Sequence, residues 1–288
     1  MVTSEALKGT TLSFIGCGVM AEAIIAGLLG KNLVKPAQVA GSHPRSERRE
    51  ELQGKYGIRL FENNRDAIGY DAGANGKADS PIVILTVKPQ RLGAVLGDLK
   101  DAIQSDQLVI SIVAGARVET IADALQHRSI VRAMPNTPAQ IGEGMTVWTA
   151  TPEVSEAQQA QIHAVFGALG REMQVEEERM IDMATALSAT GPTYTFLVME
   201  ALIDAGVHMG FSRHVAEELV LQTMLGSVLF ARESRKHPAE LRNMVTSPGG
   251  TSAEAIYQME KGSLRTVLSK AVWAAYQRAT ALGRKVKD

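Results

Sequence analysis

The sequence predicts an α/β domain built on a parallel sheet, followed by an all-α domain. Three observations predict this. A glycine-rich turn joins an apolar strand to a helix near the start of the chain. Two apolar runs, residues 81–87 and 108–113, have the pattern of parallel strands covered on both faces. From residue 176 onward only helical periodicity remains. We therefore expect domains at residues 1–175 and 176–288.

Composition narrows the class of protein. With 288 residues, 45% of them hydrophobic, the chain can bury a sizeable core and form two domains. A formal net charge of −1 and the lack of a basic stripe argue against binding nucleic acid or an anionic membrane surface. The first ten residues resemble neither a signal nor a transit peptide, and no apolar run is long enough to span a bilayer. We expect a cytoplasmic protein without a disulfide, since Cys17 is the single cysteine.

The first motif runs from the strand around Phe14 into Gly16-Cys17-Gly18-Val19-Met20-Ala21. Gly16 permits a tight turn, Gly18 lets a pyrophosphate approach the backbone, and Ala21 lets the helix pack closely on the strand. The phosphates would then meet the free N–H groups of the helix. A plain structural turn is the alternative. Cys17, at the helix start, either has a lowered thiol pKa or simply fills a small position.

The second strand, residues 38–41, is followed by residues that can choose between the two nicotinamide cofactors. An acidic residue here would bind the ribose hydroxyls of NAD, whereas Ser42 and Arg45 can hold the 2′-phosphate of NADP. We therefore favour NADP, with NADH as the alternative. The competing interpretation is that Arg45 and its neighbours Arg48 and Arg49 only lie on the exposed face of a solvated helix.

The rest of the first domain alternates strands and helices. Strands are expected at 59–61, 81–87, 108–113, 129–133, 145–148 and 172–175, and helices at 64–68, 92–99, 118–125 and 155–169, with a surface loop at 70–79. Ligands of open α/β sheets lie beyond the carboxyl ends of the strands, so Thr86-Val87-Lys88 and Ala114-Gly115 should border the cofactor. Asn136, between two prolines, could approach the nicotinamide.

The second half predicts helices that need a partner. Residues 180–209 form a long apolar helix, interrupted at Gly191-Pro192, where proline removes a backbone donor. Ser212 can cap the next helix, which leaves almost no polar face. We predict an obligate helical dimer, the alternative being a helix buried inside a monomeric bundle.

The loop at residues 245–254 is the candidate substrate site. Thr251 and Glu254 fit a capping box, which predicts a helix start. The capping box leaves Gly249-Gly250 and the hydroxyl of Ser252 unexplained. Free N–H groups at such a start can bind a small carboxylate, and Ser252 could donate a proton or hydrogen bond to a neighbouring substrate atom.

Five motifs together resemble the pyrroline-5-carboxylate reductase family: residues 16–21, 87–89, 132–138, 188–194 and 247–252. The resemblance covers nearly the whole chain, and its last two motifs are the specific ones. It implies reduction of 1-pyrroline-5-carboxylate to L-proline by NAD(P)H, as the last step of proline synthesis. It also implies a Rossmann domain followed by a helical domain that interlocks two subunits, with dimers often assembled into decamers.

The resemblance also implies site residues, position by position. The cofactor would be lined by Gly16, Cys17, Gly18, Val19, Met20, Ala21, Ser42, Asn64, Thr86, Val87, Lys88, Ala114 and Gly115. The substrate would be held by Val245, Gly249, Gly250, Thr251 and Ser252, with Glu178 a neighbour of the ring. Ser252 stands where the family usually has a second threonine, and Ala189 and Thr190 replace a usual glycine and serine. None of these changes removes a functional group that the reaction needs.

The reaction needs few catalytic groups and no strong base, because a protonated cyclic imine is already a good hydride acceptor. Ser252 is the candidate catalytic residue, although the proton could come with the substrate or through water. Three alternatives compete. A β-hydroxyacid dehydrogenase would need a lysine or histidine base, which residues 188–197 lack. An NADP-binding sensor would have no use for a carboxylate site. The six histidines and Cys17 show no metal-ligand spacing, so we expect no metal.

Overall fold

The computed structural model describes residues 4–70 and 81–285. The chain divides into two compact units, one made of Met1–Thr190 with Ala275–Asp288 and the other of Gly191–Ala274. This division into units differs from the predicted domains at 1–175 and 176–288. The assignment of cofactor binding to the first predicted domain and of substrate binding and dimerisation to the second stays a prediction. Most of the predicted loop at residues 70–79 lies outside the described residues. Only Tyr70 is described, and its hydroxyl donates to the Ala37 carbonyl at 3.1 Å.

The first unit is organised around one eight-stranded sheet of order β3-β2-β1-β4-β5-β6-β7-β8. All neighbouring strands are parallel except β6 and β7, which are antiparallel. The strands are β1 Leu12–Ile15, β2 Val39–Ser42, β3 Arg59–Phe61, β4 Ile82–Leu85, β5 Leu108–Ser111, β6 Ile130–Met134, β7 Gly144–Ala150 and β8 Gly170–Gln174. The order of the first six strands is that of a doubly wound dinucleotide-binding sheet, as predicted.

Helices connect these strands and make up the second unit. They are α1 Val19–Gly30, α2 Ser46–Tyr56, α3 Asn64–Ile68, α4 Leu92–Leu99, α5 Val118–Leu125, α6 Glu156–Gly167, α7 Arg179–Ala184, α8 Gly191–His208, α9 Arg213–Ser234, α10 Pro238–Met244, α11 Thr251–Lys261 and α12 Leu264–Lys285. Between α7 and α8 lies a π-helical turn, Thr185–Ala189. No helix within residues 4–70 and 81–285 is long and apolar enough to cross a membrane.

The core of the first unit lies on both faces of the sheet, because side chains of a strand alternate between faces. Phe14 packs in one apolar cluster with Ile24 of α1 and Phe166 of α6. Ile15, the next residue, packs in the other cluster with Leu92 of α4. Strands β1, β4 and β5 are buried along their whole length. This is why they appear in the sequence as nearly continuous apolar runs.

The second unit has almost no core of its own. Within residues 191–274, all of which the structure describes, only Gly206 and Ala216 are buried. A Cβ at Gly206 would lie 3.0 Å from the Cβ of Ala216, so the glycine lets α8 and α9 pack closely. Large apolar side chains stay exposed instead, among them Phe196 at 58% and Leu197 at 65%. An apolar surface of this extent is typical of a protein interface.

Several local predictions can be compared with the structure. Ser212 caps α9, because its side chain accepts a hydrogen bond from the Val215 N–H. The predicted interruption near Gly191 is real and takes the form of the π-helical turn. The predicted capping box at Thr251 is wrong. Gly250 is the N-cap residue and Thr251 is already the first residue of α11, because Gly249 takes a φ of +70° that starts the helix earlier.

Candidate active site

The glycine turn after β1 provides an open approach to the start of α1. Gly16 has φ +93°, a backbone conformation that side chains disfavour, and a Cβ there would lie 2.6 Å from Val87 Cγ1. Gly18 is the N-cap, and a Cβ there would meet nothing within 4 Å. The first helical bond runs from the Glu22 N–H to the Gly18 carbonyl. The N–H groups of Val19, Met20 and Ala21 therefore precede the helical bonds and can bind a phosphate.

Cys17 fills a small buried position within this turn. Its side chain is buried, and burial raises the pKa of the thiol to about 12 although the charge of Arg48 acts to lower it. A Cβ on Gly41 would clash with the Cys17 Sγ, so strand β2 leaves room for the thiol. The alternative of a lowered thiol pKa is wrong, because desolvation outweighs the charge of Arg48 and the backbone hydrogen bond at Ser42, which both act to lower it.

Ser42 and Asn64, two predicted cofactor residues, meet at the carboxyl end of β2. The Ser42 hydroxyl donates to Asn64 Oδ1 at 2.7 Å, and Asn64 Nδ2 donates to Asp98 at 2.9 Å. Arg45, the N-cap of α2, is exposed, and no described residue accepts a hydrogen bond from its guanidinium. Burial and the charges of Arg45 and its neighbours Arg48 and Arg49 lower the pKa of His43. The neutral ring accepts from the Arg45 N–H at 3.2 Å.

The neighbouring arginines are held inside the fold. Arg48 donates to the Cys17 carbonyl at 3.3 Å and pairs with Glu22 at 2.5 Å. Arg49 donates to the His43 carbonyl at 2.7 Å. Both guanidiniums are mostly buried, so the interpretation that these two arginines only decorate a solvated helix is wrong. Of these three arginines, Arg45 is the exposed one.

Glu22 is a site residue that the sequence interpretation missed. Its carboxylate, in the first turns of α1, accepts from Arg48, from Lys55 at 2.8 Å and from the Tyr56 hydroxyl at 2.9 Å. Burial raises the pKa of Glu22, but these hydrogen bonds outweigh it and lower the pKa to about 2. Glu22 therefore stays ionised, and Arg48 and Lys55 compensate its negative charge next to the predicted phosphate site. Only the spacing of basic residues on α2 hinted at this contact.

The ends of β4 and β5 support the turn from the other side. The Thr86 hydroxyl lies 3.0 Å from the Ile15 carbonyl and 2.8 Å from the Gly16 carbonyl, and Val87 packs against Gly16. Lys88 is exposed beside them. After β5, Ala114 is half-buried and Gly115 has φ +76°. A Cβ at Gly115 would lie 2.8 Å from Leu282 Cβ, so the end of α12 covers that face of the glycine.

Two other predicted residues have partners inside the first unit. Asn136 Oδ1 accepts from the Met145 N–H at 2.9 Å, and its Nδ2 lies 3.4 Å from both the carbonyl and the hydroxyl of Ser188. Glu178 is the N-cap residue of α7, and its carboxylate accepts from the Val118 N–H at 2.9 Å and from Arg132 at 2.8 Å. Their roles toward a cofactor and a substrate stay predictions.

The candidate substrate residues lie together in the second unit. The Gly250 N–H donates to the Ser247 carbonyl at 3.0 Å, and α11 begins at the next residue. The N–H groups of Thr251 and Ser252 are in the first turn, where helices leave donors free. Among the described residues, none accepts or donates a hydrogen bond to the Ser252 hydroxyl, and Val245 is 68% exposed. The site thus offers free donors for a small anion.

Comparisons with known proteins give the family. Residues 178–282 match the model of pyrroline-5-carboxylate reductase dimerisation, and residues 11–115 match that of NADP oxidoreductase, coenzyme F420-dependent. The pyrroline-5-carboxylate reductase of Synechocystis sp. is 40% identical over 95% of this chain and 98% of its own. The chain belongs to the pyrroline-5-carboxylate reductase family. The relative from Escherichia coli is 33% identical over 95% of this chain and 98% of its own.

Solved structures of the same family have the same fold. The pyrroline carboxylate reductase of Plasmodium falciparum, solved with NADP bound, gives a TM-score of 0.85 at 30% identity, covering 95% of this chain and 98% of the other. The enzyme of Coxiella burnetii gives 0.83 at 35% identity over the same shares of the two chains. The predicted fold class and family are confirmed. The chain is an NAD(P)-dependent oxidoreductase that forms a homo-oligomer.

The fit of the nicotinamide cofactor can be tested on the first unit itself. Gly16 takes a positive φ that a residue with a side chain disfavours, and the space in front of Gly18 is open. A Cβ at Gly18 would partly fill this cradle. Around it lie the free amides of α1, the Ser42–Asn64 pair and the exposed Arg45. These residues fit a dinucleotide. In the described part of the chain, no three His, Cys, Asp or Glu side chains are grouped to hold a metal ion.

Proposed function

We propose that this enzyme reduces 1-pyrroline-5-carboxylate to L-proline, and that it prefers NADPH. The observation that carries this proposal is the start of α11, where free backbone donors and the unpaired hydroxyl of Ser252 occur together. This arrangement is suited to a small molecule with a carboxylate beside a hydrogen-bond acceptor. The names of the curated relatives support the same substrate.

The chemistry is a two-electron reduction of a carbon–nitrogen double bond. Reduced nicotinamide, when bound, supplies a hydride to the imine carbon. The N–H groups of Thr251 and Ser252 bind the carboxylate and orient the ring. The Ser252 hydroxyl hydrogen-bonds to the ring nitrogen: it accepts from the N–H when the imine arrives protonated, and it donates to the nitrogen lone pair when the proton comes from water. The site raises the rate mainly by positioning, because the protonated imine is already electrophilic.

The preference for NADPH rests on the end of β2. Arg45 is exposed there without an internal partner in the described chain, next to the Ser42–Asn64 pair. Among the residues that end β2 and begin α2, no carboxylate stands where NAD would need one for its ribose hydroxyls. A guanidinium and a hydroxyl together are suited to a 2′-phosphate.

The homo-oligomer is proposed to be a dimer, assembled further into a decamer. The exposed apolar residues of α8 and α9, such as Phe196, Leu197 and Leu225, support a dimer. Helices with so few buried residues cannot be stable in water without cover. Mass measurement in solution would test this, and a monomer at micromolar concentration would contradict it.

A steady-state assay tests the reaction and the cofactor preference together. The enzyme is given 1-pyrroline-5-carboxylate with NADPH or with NADH, and cofactor oxidation is followed by the loss of absorbance of the reduced nicotinamide. The control substrate is 1-pyrroline, the same ring without a carboxylate. We expect oxidation that depends on the imine, a higher kcat/KM with NADPH, and a large loss with 1-pyrroline. Equal rates for the two imines would contradict the carboxylate site, and no oxidation would contradict the reaction.

A further inference from the structure

Arg132 is a buried cation that is not itself among the predicted cofactor or substrate residues, although it pairs with Glu178, a predicted neighbour of the substrate ring. It lies in the middle of β6, and 2% of its side chain is exposed. Its guanidinium donates to Glu178 at 2.8 Å and to Asp182 at 2.5 Å. Both carboxylates belong to the start of α7. Arg132 and Asp182 are buried and Glu178 is partly exposed. Burying charged groups is costly, so such a group is weak evidence for added stability.

The guanidinium fixes the helix that leads into the π-helical turn Thr185–Ala189. The Thr185 hydroxyl donates to the Ile181 carbonyl at 2.7 Å, and both the N–H and the hydroxyl of Thr190 donate to the Thr185 carbonyl at 2.9 Å. The turn thus closes on residues of α7 and is continuous with it. Turns of this kind are frequent at functional sites, since they move side chains out of the helical register.

The same turn is anchored a second time, from the loop after β6. Residue 192 is a proline, so the Ser188 carbonyl cannot receive the usual helical hydrogen bond from four residues on. The Asn136 amide lies 3.4 Å from that carbonyl instead. Arg132 and Asn136 come from one strand and the loop that follows it. Together they hold α7 and the π-helical turn from the same side.

The turn packs against the same apolar cluster as a loop that borders the predicted cofactor site. Ala184 and Ala189 pack in one apolar cluster with Ala114, which follows β5. Met134, at the end of β6, and Ile181 of α7 belong to the same cluster. A shift of α7 would therefore move the contacts of Ala114, which is predicted to line the cofactor, and of Asn136, which is predicted to approach the nicotinamide.

We propose that Arg132 is a positioning residue for hydride transfer. Its two ion pairs with α7 hold the π-helical turn, and through it Asn136 and Ala114, in the arrangement that orients the nicotinamide. This inference rests on the proposed function. The competing interpretation is that Arg132 only stabilises the fold. The two interpretations differ in the rate of hydride transfer expected per correctly folded active site after Arg132 is changed. If Arg132 is a positioning residue, this rate falls; if Arg132 only stabilises the fold, this rate stays the same.

Arg132→Lys is the first test variant. Lysine keeps the charge but cannot donate in two fixed directions, so only one carboxylate can be held well. We expect the single-turnover rate of imine reduction, per NADPH-binding site, to fall about tenfold or more, as small misplacements do. The dissociation constant for NADPH, measured by its fluorescence, should stay within about threefold, since the phosphate contacts lie elsewhere. Amide hydrogen exchange in residues 185–190 should become faster.

Asp182→Asn is the second variant, in case Arg132→Lys does not fold. It keeps the shape of the contact and removes one ion pair. It should show the slower rate and the faster hydrogen exchange to a smaller extent, with the NADPH dissociation constant again close to that of the wild type. Glu172→Gln is the matched control, since Glu172 on β8 accepts a hydrogen bond from Trp148 at 2.6 Å on the same sheet. It should lower thermal stability while the rate per site stays at the wild-type value.

The outcomes separate the two proposals. If wild-type enzyme does not reduce the imine, the proposed function fails. If wild-type enzyme is active and both Arg132→Lys and Asp182→Asn keep its rate per NADPH-binding site, the positioning role is overturned and Arg132 is structural. A large loss of NADPH affinity in both variants would also overturn it, because the effect would then lie in binding and not in orientation.

Discussion

The two glycines of the first turn give a paired test of the cofactor cradle. Gly16 has φ +93°, and a Cβ there would lie 3.2 Å from both N and Cα of Val87 as well as 2.6 Å from its Cγ1. Gly18 has φ −84° and open space where its Cβ would lie. Gly16→Ala should therefore damage the fold, whereas Gly18→Ala should damage cofactor binding and leave the fold intact.

The magnitudes follow from these contacts. Backbone strain at Gly16→Ala costs about 1–3 kcal/mol, and crowding against Val87 costs about 1–3 kcal/mol more. The stiffer unfolded chain returns about 0.4–1 kcal/mol. With the middle of each range the net loss is about 3 kcal/mol, which lowers the melting temperature by about 6–12 °C at about 2–4 °C per kcal/mol. For Gly18→Ala the same gain in the unfolded state offsets the poorer N-cap, and stability changes by less than about 1 kcal/mol.

The assay combines thermal unfolding at one fixed protein concentration with an NADPH fluorescence titration. The concentration is fixed because the stability of an oligomer depends on it. We expect Gly18→Ala to weaken NADPH binding about tenfold or more, since its Cβ enters the space where the pyrophosphate must approach the backbone. An unchanged melting temperature for Gly16→Ala would refute the strain argument. Unchanged NADPH affinity for Gly18→Ala would refute the cradle.

Four further predictions follow from the same structure. Ser252→Ala should lower kcat about tenfold to a hundredfold, with NADPH affinity near wild type, because only a hydrogen bond to the substrate is lost; unchanged turnover would remove Ser252 from the mechanism. Arg45→Glu should raise the KM for NADPH more than that for NADH, whereas Arg128→Glu, just before the amino end of β6, should change neither. Because the pKa of Glu22 is lowered to about 2 from 4.5, its stabilising effect should be complete above pH 4.5 and lost as the pH falls toward 2; a constant difference in urea stability between wild type and Glu22→Gln across that range would contradict this. Finally, burial and a pKa raised to about 12 should protect Cys17 from a thiol reagent until the protein unfolds, and fast labelling of folded enzyme would show otherwise.

Much of the first unit could be predicted from local pattern. Strands β1, β4 and β5 are buried on both faces, and their nearly continuous apolar runs predict this burial from the sequence. The predicted strand at 59–61 and helix at 64–68 agree with β3 and α3 to the residue. The start of α11 was placed one residue late, because a Thr-x-x-Glu pattern fits a capping box whether or not the preceding glycines already begin the helix.

The partners of charged side chains could not be predicted. Arg48 and Arg45 look alike in the sequence, yet one pairs with Glu22 at 2.5 Å and the other stays exposed. The ion pair between Arg132 and Asp182 could not be predicted either, because these residues are 50 positions apart in the chain and meet only in the fold. Long-range ion pairs depend on the direction and depth of each side chain, and periodicity carries neither.

By itself the sequence determined the alternation of strands and helices, the dinucleotide cradle, the apolar helices that need cover, and the family. These depend on local spacing, since glycine conformation, strand burial and helix periodicity act over a few residues. The tertiary structure alone decided which cation is free for a ligand, that the Cys17 thiol is protonated, and that a buried guanidinium holds a π-helical turn. Such properties arise from desolvation and from contacts between residues distant in the chain, so they exist only once the chain has folded.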